Sequence, residues 1–323
     1  MCALFGWLDY KHIIPYKVLK RLTQNLANAA EERGTDAAGI SYIKDGKVSI
    51  YKRPKPAHKI HFAAPDVSAI MGHTRFATQG DKKKNCNNHP FAGHADKEFA
   101  FAHNGVLYND TSLRKEKNLP DTNIETDSYI GVQLIEQQGK LDFDSLRDMA
   151  EAVQGNFTFT VLDEDNSLYI VKGSNPMYLI HFEALGLYVY ASTESIMKKA
   201  LSKSVLNKFS YSKVDCVEGD ILCIDSSGTI TKEEFEPAQY RSHFATWYDY
   251  EDSYYSIHEE LLLAYCGCYG VDSSDVELLL EYGYTCDEIE DMLADHDLLR
   301  ETLQMVKCED GDSMYEQIYR CAY

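Results

Sequence analysis

The chain has 323 residues, of which 44% are hydrophobic and 26% are charged, and it contains 8 Pro and 19 Gly. This composition is typical of a folded globular protein and disfavours general disorder, and the length predicts about two domains. The formal net charge of −19 disfavours anionic partners such as nucleic acids and anionic membrane surfaces. No apolar run approaches the length that a membrane-spanning helix requires.

The negative charge is concentrated near the end of the chain. Residues 240–323 hold 4 Lys and Arg against 20 Asp and Glu, whereas residues 1–239 hold 28 against 31. This asymmetry predicts two regions with different roles. Two interpretations of the acidic region stay open, a solvated appendage and a docking element.

Nine cysteines occur at irregular spacings, and the chain does not start with the pattern of a secretory signal. We therefore predict reduced thiols and a cytoplasmic location. Cys266 and Cys268, with Cys286 and Cys308 further along, could ligate zinc, but a C-x-C pair lacks the usual C-x-x-C loop geometry. Free thiols are the favoured interpretation, and no metal site is predicted.

The first 236 residues are predicted to alternate short strands with helices. Segments rich in aromatic and β-branched residues predict strands at 38–43, 48–51, 99–103, 157–162, 167–172, 187–191 and 220–224. Apolar residues at three- and four-residue intervals predict helices at 17–31, 126–138 and 143–153. The pair Asp45-Gly46 predicts a tight turn between the first two strands. Such a pattern indicates an α+β or layered sandwich.

Further along, residues 238–255 are rich in Tyr, Asp and Ser without a period and are interpreted as a linker. Three capping boxes follow, in which a hydroxyl residue precedes a glutamate by three positions. They run from Ser256 to Glu259, from Ser274 to Glu277 and from Thr285 to Glu288. Each box is predicted to start a helix, so residues 256–323 are interpreted as an acidic helical tail.

Cys2 follows the initiator methionine, and its small side chain permits removal of Met1. Removal would leave one residue with both a thiol and a free α-amine, whose ordinary pKa of about 7.7–8.0 suits a general base at neutral pH. Taken alone, a cysteine at this position is a weak indication of catalysis, because a nucleophile needs a base and further groups within reach.

Five motifs occur along the first part of the chain. They are Cys2 followed by Leu4-Phe5-Gly6, the run from Arg33 to Gly39, the run from Gly72 to Thr78, the triplet His103-Asn104-Gly105 and the run from Glu125 to Ser128. In this order they resemble the class II glutamine amidotransferases, specifically the glutaminase domains of glucosamine-phosphate synthase and of phosphoribosylpyrophosphate amidotransferase. Two later segments, Gly155-Asn156-Phe157 and Ala191-Ser192-Thr193-Glu194, resemble structural landmarks of the same domain.

The resemblance implies an α+β fold, a four-layer αββα N-terminal-nucleophile hydrolase sandwich, which a small all-α C-terminal region would follow here. It also implies the release of ammonia from glutamine without any cofactor. The catalytic residues would be Cys2, Asn104 and Gly105.

In this mechanism the Cys2 sulfur attacks the side-chain amide, and the Asn104 amide and the Gly105 N–H stabilise the resulting oxyanion. The α-amine of Cys2, through a water, takes the thiol proton and returns it to the departing ammonia, which leaves a γ-glutamyl thioester for hydrolysis. The alternative interpretation of Asn104 and Gly105 is an ordinary turn.

By the same resemblance, Arg75 binds the α-carboxylate of glutamine, because its planar guanidinium forms two parallel hydrogen bonds with a carboxylate. Asp127 binds the α-ammonium, and Thr78 contacts the substrate. The alternatives are a surface ion pair for Arg75 and a helix-dipole partner for Asp127. Arg33, Gly34 and Asp36 are predicted to support the Cys2 loop, and His73, His89 and His103 are interpreted as structural.

The predicted domains are residues 1–237 for the class II amidotransferase domain, 238–255 for the linker and 256–323 for the tail. The rest of the chain carries no motif of an ammonia-consuming domain, so the leading hypothesis is a glutaminase subunit that feeds a separate synthetase or acceptor subunit. Two alternatives stay open. One is a hydrolase of glutamine or another γ-glutamyl amide without transfer, and the other is a non-catalytic glutamine-binding regulatory module that retains Met1.

Overall fold

The computed structural model describes residues 2–63, 65–237, 262–263, 266–294 and 298–307. The chain divides into two units, Met1–Arg241 and Ser242–Tyr323. The predicted linker at 238–255 and the capping box that begins at Ser256 lie outside the described residues.

The first unit contains both strands and helices. Its strands are β1 (Ala3–Asp9), β2 (Ala37–Lys44), β3 (Lys47–Arg53), β4 (Ala69–Arg75), β5 (Phe91–His94), β6 (Glu98–Leu107), β7 (Gly155–Asp163), β8 (Leu168–Lys172), β9 (Tyr178–Phe182), β10 (Leu187–Ala191), β11 (Ser212–Val214), β12 (Asp220–Ile224) and β13 (Ile230–Glu234). Its helices are α1 (Tyr16–Ala29), α2 (Asp110–Glu116), α3 (Tyr129–Gln138), α4 (Phe143–Ala152) and α5 (Glu194–Ser202).

The strands form two antiparallel sheets that face each other. The first sheet has the order β11-β9-β10-β1-β4-β2-β3, and the second has the order β13-β12-β8-β7-β6-β5. Helices α1 and α5 cover the outer face of the first sheet, and α3 and α4 cover the outer face of the second. A third hydrophobic core lies between the sheets. This αββα layering confirms the predicted fold class.

Strand β1 lies in the middle of the first sheet and is buried along its whole length. Phe5 and Trp7 belong to the core beneath α1 and α5, and the Trp7 indole donates a 2.8 Å hydrogen bond to the Thr23 hydroxyl on α1. Leu4 and Leu8 point the other way, into the core between the sheets. Because both faces are apolar, β1 lacks the polar alternation that marks a half-exposed strand.

Helix α3 begins later than the sequence analysis predicts. The predicted start is Thr126, whereas the helix begins at Tyr129, so the prediction for residues 126–128 is wrong. Asp127 accepts a hydrogen bond from the Leu107 backbone N–H at 2.7 Å, which draws this segment toward the end of β6. Helix α4 agrees with its prediction, and Asp142 and Ser145 form a reciprocal capping box at its start.

The described part of the second unit is helical, with a 3₁₀ turn at Cys266–Tyr269, helices α6 (Ser273–Tyr282) and α7 (Cys286–Ala294), and further helical residues at 298–307. The capping box at Thr285 is confirmed, because Thr285 and Glu288 exchange hydrogen bonds. The box predicted at Ser274 is wrong. The N-cap of α6 is Asp272, whose carboxylate accepts from the Ser274 N–H.

The described helices include none with the length and apolar character needed to cross a bilayer. The six described cysteines are free thiols, and the described residues contain no cluster of three or more side chains suited to metal binding. Cys308 and the side chain of Cys268 lie outside the described set.

Lys52, on β3, ties that strand to the segment before β5. Its ammonium donates hydrogen bonds to the carbonyls of Asn88 and Pro90, the latter at 2.9 Å, and lies 4.8 Å from the centre of the Phe91 ring. Burial lowers the pKa of Lys52 from 10.5 to about 8, and the positive charge of Arg75 acts in the same direction.

We expect Lys52 to make the stability of the fold rise with pH between pH 8 and 10.5. In this window the folded protein has released the Lys52 proton while the unfolded chain still binds it, so unfolding takes up a proton and becomes less favourable as the pH rises. Relative to Lys52→Met, the gain in unfolding free energy approaches ~3 kcal/mol across the window. Urea unfolding at several pH values measures it, with exposed Lys55→Met as the control. A stability difference between wild type and Lys52→Met that is constant with pH would contradict the expectation.

Candidate active site

The register of the first sheet brings the N-terminal end of β1 beside the C-terminal end of β4. Ala3 pairs with Thr74, so Cys2, one residue before β1, lies next to Arg75. On the other side of β4, Ala37 pairs with Arg75. Asp36 therefore joins the same edge of the sheet, and its backbone N–H donates to the Arg75 carbonyl at 2.9 Å.

The Cys2 thiol is partly buried at this edge. Its sulfur lies 3.5 Å from the Phe76 carbonyl oxygen, and the Arg33 side chain donates to the Cys2 carbonyl at 3.0 Å. Burial raises the pKa of Cys2, while the positive charge of Arg75 lowers it and the negative charge of Asp127 raises it. Both charged groups thus act electrostatically on the thiol, and the thiol is mainly protonated at neutral pH.

Arg75 is buried, with only 3% of its surface exposed. Its guanidinium donates to the Asn88 side-chain oxygen at 2.7 Å and to the backbone carbonyls of Gln79 and Gly80 at 2.5 and 3.2 Å. Burial lowers the Arg75 pKa, and the negative charge of Asp127 is among the effects that raise it. The burial excludes the surface ion pair that was the alternative interpretation of Arg75.

Asp127 is equally buried, one residue before the N-cap of α3. One carboxylate oxygen accepts from the Leu107 N–H at 2.7 Å, and the other accepts from the Ser128 hydroxyl at 3.3 Å. The His103 ring lies 4.0 Å away, but burial lowers the His103 pKa, so that ring is uncharged at neutral pH. The Asp127 carboxylate is therefore linked to the end of β6 and to the N-cap residue Ser128, while the Asp127 backbone carbonyl accepts from the Ile130 N–H in the first turn of α3 at 3.2 Å.

Asn104 and Gly105 lie within strand β6, so their interpretation as a turn is wrong. Gly105 has φ +146°, a value that other residues rarely adopt, and a Cβ there would lie 1.8 Å from the Asn156 carbonyl oxygen. The position therefore requires glycine. The Asn104 side chain is buried, and its amide nitrogen donates to the Ser192 hydroxyl at 3.4 Å.

The residues predicted to support the Cys2 loop lie around it. The Asp36 carboxylate accepts from the Ala77 N–H at 3.0 Å and from the Lys82 ammonium at 2.5 Å, so it holds the loop that follows β4. Gly34 packs against the Arg75 backbone, where a Cβ would come within 2.5 Å of the carbonyl carbon. Thr78 lies exposed on the loop after β4.

The three histidines interpreted as structural form a buried group near these residues. The rings of His73 and His89 lie 4.1 Å apart, and the His73 ring nitrogen donates to the His103 carbonyl at 2.9 Å. Burial lowers the pKa of His73 to about 3 and that of His89 well below its usual range. Both rings are therefore neutral near pH 7.

Three further residues contact the site, and the sequence alone predicts no role for them. Asn88 binds the Arg75 guanidinium, Ser128 binds the Asp127 carboxylate, and Ser192 binds the Asn104 amide. Ser128 and Ser192 lie inside motifs quoted for the family resemblance, which could have indicated them. Asn88 comes 13 residues after Arg75, and no sequence pattern links the two.

Comparison with known proteins gives relatives over most of the first unit. Residues 73–199 match a family described as "Glutamine amidotransferase domain". The glutamine–fructose-6-phosphate aminotransferase (isomerizing) of Geobacillus kaustophilus is 27% identical over 236 residues, covering 70% of this chain and 36% of the relative. The enzyme of the same name from Bacillus thuringiensis subsp. konkukian is 32% identical over 189 residues, which cover 55% of this chain and 30% of the relative. The chain thus spans about a third of the length of these relatives.

Among solved structures, the glutamine phosphoribosylpyrophosphate amidotransferase of B. subtilis, in complex with ADP and GMP, superposes with a TM-score of 0.59. The sequences are 20% identical, and the match covers 73% of this chain and 49% of the other, so this likeness supports the fold alone. The family match and the relatives therefore show that the first unit is similar to glutamine amidotransferase domains.

Proposed function

We propose that this chain hydrolyses the side-chain amide of glutamine through a Cys2 γ-glutamyl thioester and releases ammonia for an acceptor on another chain. The proposal is supported by the sheet register, which brings Cys2 next to Arg75, and by Asp127, whose negative charge raises the pKa of the Cys2 thiol. In this proposal the nucleophile and two buried, opposite charges share one site.

The two charges favour a zwitterionic substrate. Within the described residues, Arg75 donates only to neutral oxygens and Asp127 accepts only from neutral donors, so neither forms a salt bridge with an oppositely charged side chain. A buried charge without a counter-ion is costly. An amino acid supplies both missing partners, with its α-carboxylate at Arg75 and its α-ammonium at Asp127.

Before the first reaction cycle, removal of Met1 frees the Cys2 α-amine. Because burial raises the pKa of the Cys2 thiol, attack on the amide needs a base, and the α-amine serves as that base, through a water. The sulfur bonds to the amide carbon, Asn104 and Gly105 stabilise the oxyanion, and the amine returns the proton to the departing ammonia. Water then hydrolyses the thioester to glutamate and free Cys2.

The names of the relatives suggest what happens to the ammonia. Both relatives are named as glutamine–fructose-6-phosphate aminotransferases, and the match covers about a third of each of them. We propose that the acceptor is a separate subunit. We also propose an amidotransferase domain at 1–237, a linker at 238–255 and a tail at 256–323.

Glutaminase rates measured with and without co-purified proteins test the proposal of a separate acceptor subunit. We expect a bound partner to accelerate the reaction, whereas equal rates would favour a simple hydrolase.

Replacing Cys2 with alanine is expected to abolish ammonia release, because no other group would form the thioester. The loss should exceed ~10³-fold in kcat, the scale on which removal of a covalent nucleophile acts. Glutamate dehydrogenase-coupled detection of ammonia measures it, after mass spectrometry has established that Met1 is absent. Cys216→Ala, which removes another partly buried thiol, serves as the control and should retain activity. Full activity in Cys2→Ala would eliminate the proposed nucleophile.

Replacing Arg75 with lysine is expected to raise the KM for glutamine about 10- to 100-fold with a smaller change in kcat. Lysine keeps the charge but cannot form the planar two-bond contact with the α-carboxylate. Steady-state kinetics measure the change, and the exposed Arg53→Lys is the matched control. An unaltered KM in Arg75→Lys would remove Arg75 from the carboxylate role.

A further inference from the structure

We propose that Ser192 is a positioning residue for the proposed amide hydrolysis, and that it acts by orienting the Asn104 side chain relative to the Cys2 strand. Ser192 directly follows β10, the neighbour of β1 in the first sheet, and it is fully buried. This inference rests on the proposed function, because it assigns Ser192 a task in oxyanion stabilisation.

Ser192 is hydrogen-bonded to strand β1, which directly follows the proposed nucleophile Cys2. Its hydroxyl oxygen accepts a 2.8 Å hydrogen bond from the Leu4 N–H, and its own N–H donates to the Leu4 carbonyl at 2.9 Å. Leu4 is two residues from Cys2, in a strand that is buried throughout. The position of the Ser192 oxygen is therefore set by the strand that carries the thiol.

The same oxygen contacts the proposed oxyanion donor. The Asn104 side-chain nitrogen donates to it at 3.4 Å. Asn104 is on β6, in the second sheet, whereas Leu4 is on β1, in the first. One oxygen atom thus connects the two sheets at the point where the nucleophile and the oxyanion donor must be held at a fixed separation.

The contact sets the orientation of the Asn104 amide group. The Asn104 carbonyl accepts from the Asn175 side chain at 2.9 Å, which fixes its main chain. The side-chain oxygen of Asn104 is buried without a described hydrogen-bond partner, so Ser192 provides the described hydrogen bond that restrains the amide plane. A side-chain amide has two N–H donors. One N–H of the Asn104 amide donates to Ser192, so the other N–H points in a fixed direction and is available to the oxyanion.

The test is Ser192→Ala in the processed protein, with three measurements. We expect kcat for glutamine to fall about tenfold or more, which is less than the ~10²–10³ typical for loss of an oxyanion donor itself. The KM should stay within about twofold, because the binding charges are untouched. Alkylation of Cys2 by iodoacetamide should proceed at the wild-type rate, because that displacement forms no oxyanion.

Ser41→Ala is the matched control. Ser41 is also fully buried in the first sheet, but among the described residues its hydroxyl donates only to the Met71 carbonyl, at 3.4 Å. This variant should keep its kcat. A kcat loss in Ser41→Ala as large as that in Ser192→Ala would attribute the effect to general loss of packing and overturn the proposal.

A double-mutant cycle with Asn104→Ala separates action through Asn104 from other effects. Once Asn104 is absent, Ser192→Ala should cost little further in kcat. Additive losses in kcat, or a fall in Cys2 alkylation that matches the fall in kcat, would overturn the proposed role of Ser192.

If Ser192→Ala does not fold, Ser192→Cys serves as a second variant, because it keeps a weak acceptor of similar size. It should fold with reduced kcat and unchanged KM. Wild-type protein that lacks Met1 and releases no ammonia would refute the proposed function itself, whereas active wild type with unchanged kcat in Ser192→Ala would refute only this inference.

Discussion

The burial of β1 between two neighbours and two layers is the constraint on which the site depends. The strand pairs with β10 on one side and with β4 on the other, and its side chains alternate between the helix layer and the core between the sheets. A strand held on four sides can shift in neither register nor tilt without breaking its pairing and packing. The residue before it, Cys2, is therefore held at one position, beside the end of β4 and the start of β2.

Two buried, oppositely charged side chains determine the electrostatics around Cys2. Arg75 and Asp127 are buried among neutral hydrogen-bonding partners, and both influence the Cys2 thiol. Burying two charges in this way costs free energy, and we propose that a zwitterionic substrate offsets this cost by supplying the two opposite charges. The same neutral partners, Asn88 for the guanidinium and Leu107 for the carboxylate, hold the two groups in place beforehand, so little ordering remains for the substrate to impose.

The family motifs predict the layered fold, which is confirmed, and the site residues, which stay predictions, whereas local patterns miss several elements. Strands β1 and β4 went unpredicted because both of their faces are buried, which removes the alternation that identifies a strand. The predicted α3 starts at Thr126, three residues before the observed start, because the hydrogen bond between the Leu107 N–H and Asp127 lies outside any sequence window. Ser192 contacts Asn104 across 88 positions, and only the pairing of the sheets reveals that contact.

In the proposed function, Cys2 without Met1 is the group that attacks a glutamine amide between Arg75 and Asp127. The most direct measurement is mass spectrometry of the protein after incubation with a diazoketone analogue of glutamine, which alkylates a nucleophile placed at the side-chain carbonyl. We expect a chain that lacks Met1 and carries one adduct, which maps to Cys2 and is prevented by excess glutamine. A processed chain without an adduct, or with its adduct on another cysteine such as Cys86, would contradict the proposed role of Cys2.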